Sequence, residues 1–555
     1  MSLERSRYEP ISGRTLASHK HLLYSPVYFL FKLRGNIIHI LLIYPVLPAH
    51  ILQFRGSMTR LGKKSSYPPM GLLTIAAMFP DDWHVKLVDC NVVSKVSDSE
   101  WDWADLVMVS AMLPQAADFH AQIQMAKARG IPVAIGGPYP TALPEEAGSS
   151  GADYLVLNEG EITVPMFLQD LQAGATSGTY VTEDKPDITH TPLPRFELLD
   201  LNAYAALSIQ FSRGCPFVCE FCDIITLYGR KARVKTSPQM IAELENLYQL
   251  GWRGVISVID DNFIANRRHA KVFLQDLLPW MKQKNYPFVF ITEASVDLAR
   301  ETELLALMVA CNFKGVFLGI ETPDEDSLVL TKKKQNIHKP IIQSIDTINQ
   351  AGLSVIAGMI IGFDGEKKGA GQRIVDFMNE TAIPISNFGI LQALPTTALW
   401  DRLERQKRLL SKTGDGMSTK PMNFTPTRPA CDIIDEYIDA NWQLYDHESY
   451  LNRVFEHCMR VTIINNGSLK KMAWKELIFR LKKLDWRIFS FMVYIFWQHG
   501  LVLKTRGDFW GHLFKLARKK PIAMLPFLLN CAFFDDLDEH RQMIRKNLQS
   551  HARII

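Results

Sequence analysis

The strongest constraint on this chain is a pattern that occurs twice: apolar runs too short for helices, alternating with amphipathic stretches of helical period. The first series has strand candidates at 38–43, 84–88, 106–110, 133–135 and 154–157, with helices such as 71–78 and 116–128 between them. Near-continuous apolar strands separated by helices call for a parallel sheet covered on both faces. An α/β, doubly wound domain over residues 37–172 follows, and such sheets take ligands at the carboxyl ends of their strands. Residues 173–200 carry Gly, Thr, Ser, Pro and Asp without apolar periodicity and read as a linker with short strands.

The alternation then restarts, with strands at 207–211, 255–259, 288–292, 315–320, 354–361 and 387–391 and helices such as 238–250 and 267–282. Six units predict a partial (β/α)6 TIM-type barrel over 201–424, with its chemistry at the carboxyl ends of the strands. In one of its helices Ser237 is a natural N-cap, Pro238 suits the first turn, Ile241, Leu244 and Tyr248 share a face, and Gly251 offers a left-handed stop. Beyond residue 425 no βα unit recurs, so 425–555 reads as an all-α C-terminal region, and 1–36 as an N-terminal extension.

A formal charge of +4 over 555 residues is too small to imply a nucleic-acid partner. The positive charge is concentrated instead: Ser468 to Lys520 holds thirteen Lys or Arg against three Asp or Glu. Two apolar stretches near there, 488–497 and 522–534, are flanked by basic residues. They read either as buried helices or as helices lying on a membrane surface; neither approaches the roughly 18 apolar residues of a transmembrane helix. Of the eight cysteines only three cluster, which is no secreted disulfide framework. The apolar run at 27–33 is short and broken by Lys32, unlike a signal peptide. A cytoplasmic chain is expected, with peripheral contact at the inner membrane through the C-terminal region as the alternative placement.

In Arg213-Gly214-Cys215-Pro216-Phe217-Val218-Cys219-Glu220-Phe221-Cys222 the cysteines are separated by three and two residues. Three thiolates so close can hold three irons of a [4Fe-4S] cube and leave the fourth open to a ligand. A structural zinc site is the bland alternative, but it needs four ligands and the loop offers neither a fourth Cys nor a nearby His. Placed just after the first barrel strand, Cys-x-x-x-Cys-x-aromatic-Cys resembles the radical S-adenosylmethionine superfamily. The resemblance implies that Cys215, Cys219 and Cys222 ligate the cluster and that its open iron chelates S-adenosylmethionine for reductive cleavage to a 5′-deoxyadenosyl radical. It further implies that Phe221 packs near adenine and that Asp260, Asp261 and Asn262 meet the methionine amino group. Glu293, Ser295 and Glu321 end the third and fourth strands, where the family orients the zwitterion and ribose, and 358–362 resembles the apolar stretch that receives adenine. Any one of these acids could instead cap the next helix.

The first domain, with Pro68-Pro69-Met70-Gly71-Leu72-Leu73, the Gly136-Gly137 pair and Asn158-Glu159-Gly160-Glu161, resembles the cobalamin-binding domain of class B radical methylases. Paired glycines let the backbone approach a large flat ligand, or simply turn the chain. The Asp-x-His-x-x-Gly pattern that supplies a histidine to cobalt is absent; Tyr44-Pro45-Val46-Leu47-Pro48 stands there, and His50 falls outside the spacing. The stretch 445–453 resembles hopanoid C-2 methylases and bacteriochlorophyll side-chain methylases, and it would allow His447 and Tyr450 to reach the active site. Together these resemblances imply a cobalamin-dependent radical methyltransferase. One S-adenosylmethionine methylates cobalamin and a second generates the radical that activates an unactivated carbon of a lipid, tetrapyrrole or natural-product substrate. A cyclase, oxidase or rearrangement enzyme with the same cofactors is the alternative; either needs a reducing partner such as flavodoxin or ferredoxin.

Overall fold

The computed structural model describes residues 38–337, 340–411, 414, 416–464 and 486–549. The N-terminal extension, the run at 27–33 and the first part of the basic stretch lie outside these residues.

The first sheet comprises β1 (His39–Tyr44), β2 (His84–Asp89), β3 (Leu106–Ser110), β4 (Val133–Gly136), β5 (Tyr154–Val156) and β6 (Gly178–Tyr180). Their spatial order is β2-β1-β3-β4-β5-β6, and every pairing is parallel. Strand β1 shows why the chain folds this way. Ile40 and Leu42 enter the apolar cluster on one face, with Leu72 and Phe167, while Leu41 and Ile43 enter the cluster on the other, with Phe119 and Ile123. Successive strand side chains point to opposite faces, so a continuous apolar run demands cover on both. The supposed linker contributes β6, which pairs with β5 and places the Tyr180 ring 5.6 Å from Phe167. Three residues around a single aromatic anchor are too short to show a period.

The second sheet begins with β7 (Ala206–Ile209), after which two short strands, β8 (Ser212–Arg213) and β9 (Arg233–Val234), pair with each other outside it. Together with β7 the sheet holds β10 (Val255–Val258), β11 (Val289–Ala294), β12 (Phe313–Glu321), β13 (Ser354–Ile361) and β14 (Ser386–Ile390). These six strands stand side by side in chain order, all parallel, as in an open half-barrel. Helix Ser237–Gln249 starts one residue before the expected position. Thr236, not Ser237, is its N-cap, because Thr236 and Gln239 close a reciprocal capping box that Ser237 and Met240 cannot form. Its buried face carries Met240, Leu244 and Leu247, and Gly251 (φ 91°) provides the expected left-handed exit.

The C-terminal region is helical: Ala430–Leu444, His447–Arg460, Trp486–Trp497, Arg506–Lys519, Met524–Ala532 and Phe534–Gln549. It is fastened to the barrel by Tyr437, which donates to the Phe388 carbonyl (2.9 Å) on β14, and to the first domain by Asp536, which accepts from Gly56 N (2.6 Å). His447 and Tyr450 do not reach the barrel mouth. Tyr450 is buried and donates to Asn530 O (2.8 Å), and the His447 ring lies 4.4 Å from Phe534. On an amphipathic helix both fall on the side that packs against the later helices.

In the barrel core the Phe313 ring stacks on Phe290 at 5.0 Å and meets Phe263 at 5.6 Å. Phe313→Ala is expected to destabilise the barrel by about 3–5 kcal/mol, measured as a lowered denaturation midpoint by tryptophan fluorescence.

Candidate active site and cofactor cavities

The cysteine loop leaves the barrel after β8 and is held at several points. Gly214 (φ 92°) has no room for a side chain: a Cβ would lie 2.8 Å from the carbonyl oxygens of Gly229 and Lys231. Its N–H donates to Asp261 (3.0 Å), and Cys215 N–H donates to Gly229 O (3.2 Å). Glu220 anchors the centre, donating from its N–H to Thr331 O (3.1 Å) and binding Arg402 through its carboxylate (2.5 Å). The segment Gln392–Trp400 buttresses this loop: Leu399 N–H donates to Glu220 O (2.8 Å) and Thr226 to Thr396 O (3.1 Å).

Burial pushes the thiols of Cys215 and Cys222 up, and Cys222 is raised further by Asp223, Cys219 and Cys215, so the three sulfurs share one small volume. A bound metal deprotonates such thiols outright. Among the described residues no three His, Cys, Asp or Glu are grouped as round a single ion. Three cysteines on one anchored loop fit the three-thiolate donor set of a [4Fe-4S] cube. Phe221 lies at the same edge, its ring 5.8 Å from that of Phe363.

The polar strand ends divide into two kinds. Asp260 gives both carboxylate oxygens to the protein, accepting from Phe211 N (2.7 Å) and Ser212 Oγ (2.6 Å), and its burial pushes the carboxyl up to about 7. It positions the entry to the cysteine loop. Asn262 and Ser295 bind each other across the strand ends (Nδ2 to Oγ, 3.1 Å), so they clamp β10 to β11. Asp261 keeps one oxygen on Gly214 and is pushed up to about 6, chiefly by burial. These four differ from the expected row of open ligand contacts because a strand end also has to secure the loop that follows it.

Glu293 and Glu321 are different. Glu293 is exposed; its backbone carbonyl accepts from Phe263 N–H (2.9 Å), but no hydrogen bond or ion pair to its carboxylate occurs among the described residues. Surrounding protein, with Asp261 and Asp260 next in effect, pushes its carboxyl up to about 7. Glu321 sits at a register shift between β12 and β13 with φ 68°, a costly conformation for a non-glycine residue. Its partner is Lys333, a buried ammonium that sequence reading missed and that also lies beside Cys219 and Cys222 and 5.8 Å over the Phe221 ring. Burial works against the Lys333 charge, but Glu321 and then Cys219 more than offset it. The signal for it was a Thr-Lys-Lys-Lys run that reads as a solvated loop.

Two cavities open where the domains meet. One, ≈ 220 Å³, is a slot over Ser110, Gly136 and Gly137, between helices Met70–Ala76 and Gly160–Gln172 and closed by Arg213 and Tyr228 of the barrel. Both glycines are obligatory here. A Cβ on Gly136 would sit 2.7 Å from Val156 O, and one on Gly137 (φ 93°) 2.5 Å from Ser110 Oγ. Gly160 begins the helix on the far wall, and Asn158, at φ 65°, receives its own backbone support from Thr141 (2.9 Å). Glu159 lines the slot and is held there in ion pairs with Arg213 (3.0 Å) and Arg233 (2.8 Å). The second cavity, ≈ 500 Å³, is walled by Leu47, Pro48, Leu52, Met58 and Met112, with Tyr67 and Met417 among its other lining residues. A bare backbone at strand ends, a narrow slot and an adjoining wide chamber fit a flat ring system with a protruding tail.

The chain matches the family described as B12 binding domain over residues 63–168, the Radical SAM superfamily over 209–378 and a domain of unknown function, DUF4070, over 397–550. It is 47% identical to an uncharacterized methyltransferase of Synechocystis sp. over 516 residues, covering 92% of this chain and 94% of that one. It is 34% identical to the hopanoid C-2 methylase of Rhodopseudomonas palustris over 452 residues, 80% of this chain and 84% of the relative. The chain belongs to the cobalamin-binding radical S-adenosylmethionine methyltransferases. The fold agrees with that of the methyltransferase TsrM from Kitasatospora setae (TM-score 0.58, 16% identity, 77% of this chain and 93% of that one). It agrees equally with the cobalamin-dependent radical enzyme OxsB (TM-score 0.58, 14% identity, 92% and 80%). This methyltransferase therefore uses a [4Fe-4S] cluster, S-adenosylmethionine and cobalamin.

Gly137→Ala is expected to leave iron and sulfide content unchanged while cobalamin retained through gel filtration falls at least about tenfold, a clash and a strained φ together being worth roughly 1–3 kcal/mol. The ultraviolet–visible spectrum of the purified variant measures both.

Proposed function

We propose that this methyltransferase acts on an unactivated carbon of an apolar, polycyclic lipid of the hopanoid kind. The observation that carries the proposal is the ≈ 500 Å³ chamber, whose Leu, Pro and Met walls join the cobalamin domain to the barrel mouth. Tyr67 connects the two: it lines the chamber, hydrogen-bonds to Ser257 on β10 and faces Glu293. His50, on the same wall, caps the turn Ile51–Gln53 by accepting from Leu52 N–H (3.3 Å). The identity with a hopanoid C-2 methylase over four-fifths of this chain supports the substrate class.

When bound, the reduced cluster and S-adenosylmethionine supply the hydrogen-abstracting radical, and cobalamin carries the methyl group. The protein's residues provide position and dryness. Lys333, charged between Glu321 and the cysteine sulfurs, offers an ammonium to an anionic group at the open iron. Glu293 offers a carboxylate to a cationic one. Phe221 and Phe363 form an apolar edge at the cysteine loop. The apolar part of the chamber wall would take a hydrocarbon ring face.

A carboxyl raised to about 7 must ionise before it can bind a cation. S-adenosylmethionine affinity is therefore expected to strengthen as pH rises from about 6 through 7 and to level off above. Glu293→Gln should weaken binding at high pH and flatten that dependence. Anaerobic titration calorimetry of the reconstituted enzyme measures both effects.

The activity test supplies the reconstituted enzyme with S-adenosylmethionine, a strong reductant, hydroxocobalamin and a hopene in mixed micelles. A methylated hopene together with 5′-deoxyadenosine and S-adenosylhomocysteine is expected, and Cys219→Ala should give no 5′-deoxyadenosine. Formation of 5′-deoxyadenosine alone, with an unmethylated but altered product, would replace methyl transfer by cyclisation or rearrangement. Methylation of a tetrapyrrole but not of the hopene would overturn the substrate class.

A further inference from the structure

The C-terminal helices leave an apolar surface that scattered surface hydrophobes do not explain. On helix Trp486–Trp497, Trp486, Phe489, Val493 and Trp497 recur at three- and four-residue intervals on one exposed face, while Phe491 and Ile495 are buried on the other. The stripe continues onto the next elements. Phe496 stacks on Trp510 (5.8 Å), which donates to Gly500 O (3.0 Å), and Phe514, one turn further along helix Arg506–Lys519, is 71% exposed. Leu501, in the turn between the helices, is 65% exposed.

The charges beside this stripe are mainly basic, with Asp508 the acid in the first turn of helix Arg506–Lys519. Lys504, Arg506, Arg518 and Lys519 are exposed, and among the described residues none of them is ion-paired to an acidic side chain. We propose that this face docks on an anionic lipid bilayer, with the aromatic and aliphatic side chains in the headgroup layer and the basic ones against lipid phosphates. A protein partner would favour a patch core with few lysines, whereas interfacial helices combine Trp, Phe and Leu with Lys and Arg. Tryptophan suits that depth because an apolar ring and a wet N–H are both accommodated there. No helix among the described residues is long and apolar enough to cross a membrane, so the face lies on the bilayer and does not span it. This docking does not rest on the substrate proposed above.

The full chain would be floated with vesicles of phosphatidylcholine alone and of equimolar phosphatidylcholine and phosphatidylglycerol, at low and high salt. Flotation with the anionic vesicles, release by salt and little binding to neutral ones are expected. Lys504→Glu combined with Lys519→Glu should weaken binding at least about twentyfold, each basic side chain near an anionic surface being worth roughly fivefold. Phe514→Ser should weaken it about tenfold; both variants should keep the wild-type circular dichroism and elution volume. Absence of binding to the anionic vesicles, or equal binding by all three proteins, would overturn the proposal. So would a wild-type dimer that Phe514→Ser converts to a monomer, since the face would then be a contact between copies.

Discussion

The structure depends on one side chain, Arg213. It stands two residues before the first cluster cysteine, yet its guanidinium is held by Glu159 (3.0 Å) and Glu161 (2.8 Å) of the other domain. Burial disfavours its charge, but Glu161 and then Glu159 more than offset this and keep it charged. Desolvation makes such a network a weak source of net stability, but it is costly to break, by about 3–5 kcal/mol when one partner is removed. Its value is therefore geometric. The loop that carries the iron–sulfur ligands and the strand end that borders the cobalamin slot share one ion-pair network, so neither can shift alone.

The same economy governs the barrel mouth. A radical site needs few charged groups but tight control of where they lie, because a highly reactive carbon radical attacks whatever is nearest. Asp260, Asn262 and Ser295 accordingly bind the protein itself, and Asp261 divides its carboxylate between the cysteine loop and the mouth. This leaves Glu293 and the Glu321–Lys333 pair as the charges available to a zwitterion. The positive φ of Glu321 is where strain accumulates, and it coincides with the register shift in β12 that aims this carboxylate at Lys333.

The fold was legible because both sheets are parallel and buried, and a parallel buried strand needs an apolar run that stands out in the sequence. Strand β3 and the helix Ala116–Ala128 fall where the periodicity placed them. A short strand was expected in the linker, but that β6 joins the first sheet was not legible, since Tyr180 is its one buried side chain. The three clustered cysteines stood out in the sequence, because residues on one loop are neighbours in sequence as well as in space. The ion pairs of Glu159 were hidden for the opposite reason. Its partners, Arg213 and Arg233, lie 54 and 74 residues away, and nothing local shows that a carboxylate is already paired. Lys333 escaped notice likewise, since only the barrel brings residue 333 beside residues 219 and 321.

The C-terminal region is best understood as a wall and not as an appendage. Phe533 packs its ring 4.3 Å from Phe54, and Asp536 binds the start of the helix Arg55–Arg60, so the last helices hold the segment whose other side lines the apolar chamber. Met417 reaches the chamber from the barrel's far end, close to Ser418, whose carbonyl accepts from Tyr437 (3.0 Å). A change of substrate within this architecture thus needs no change in the cluster loop or the cobalamin slot. It needs different side chains on the chamber wall. The matched region of unknown function, 397–550, begins at Thr397, whose hydroxyl caps helix Ala398–Arg405 at the end of the loop that buttresses the cysteines, so this region is tied to the cysteine loop as well as to the chamber.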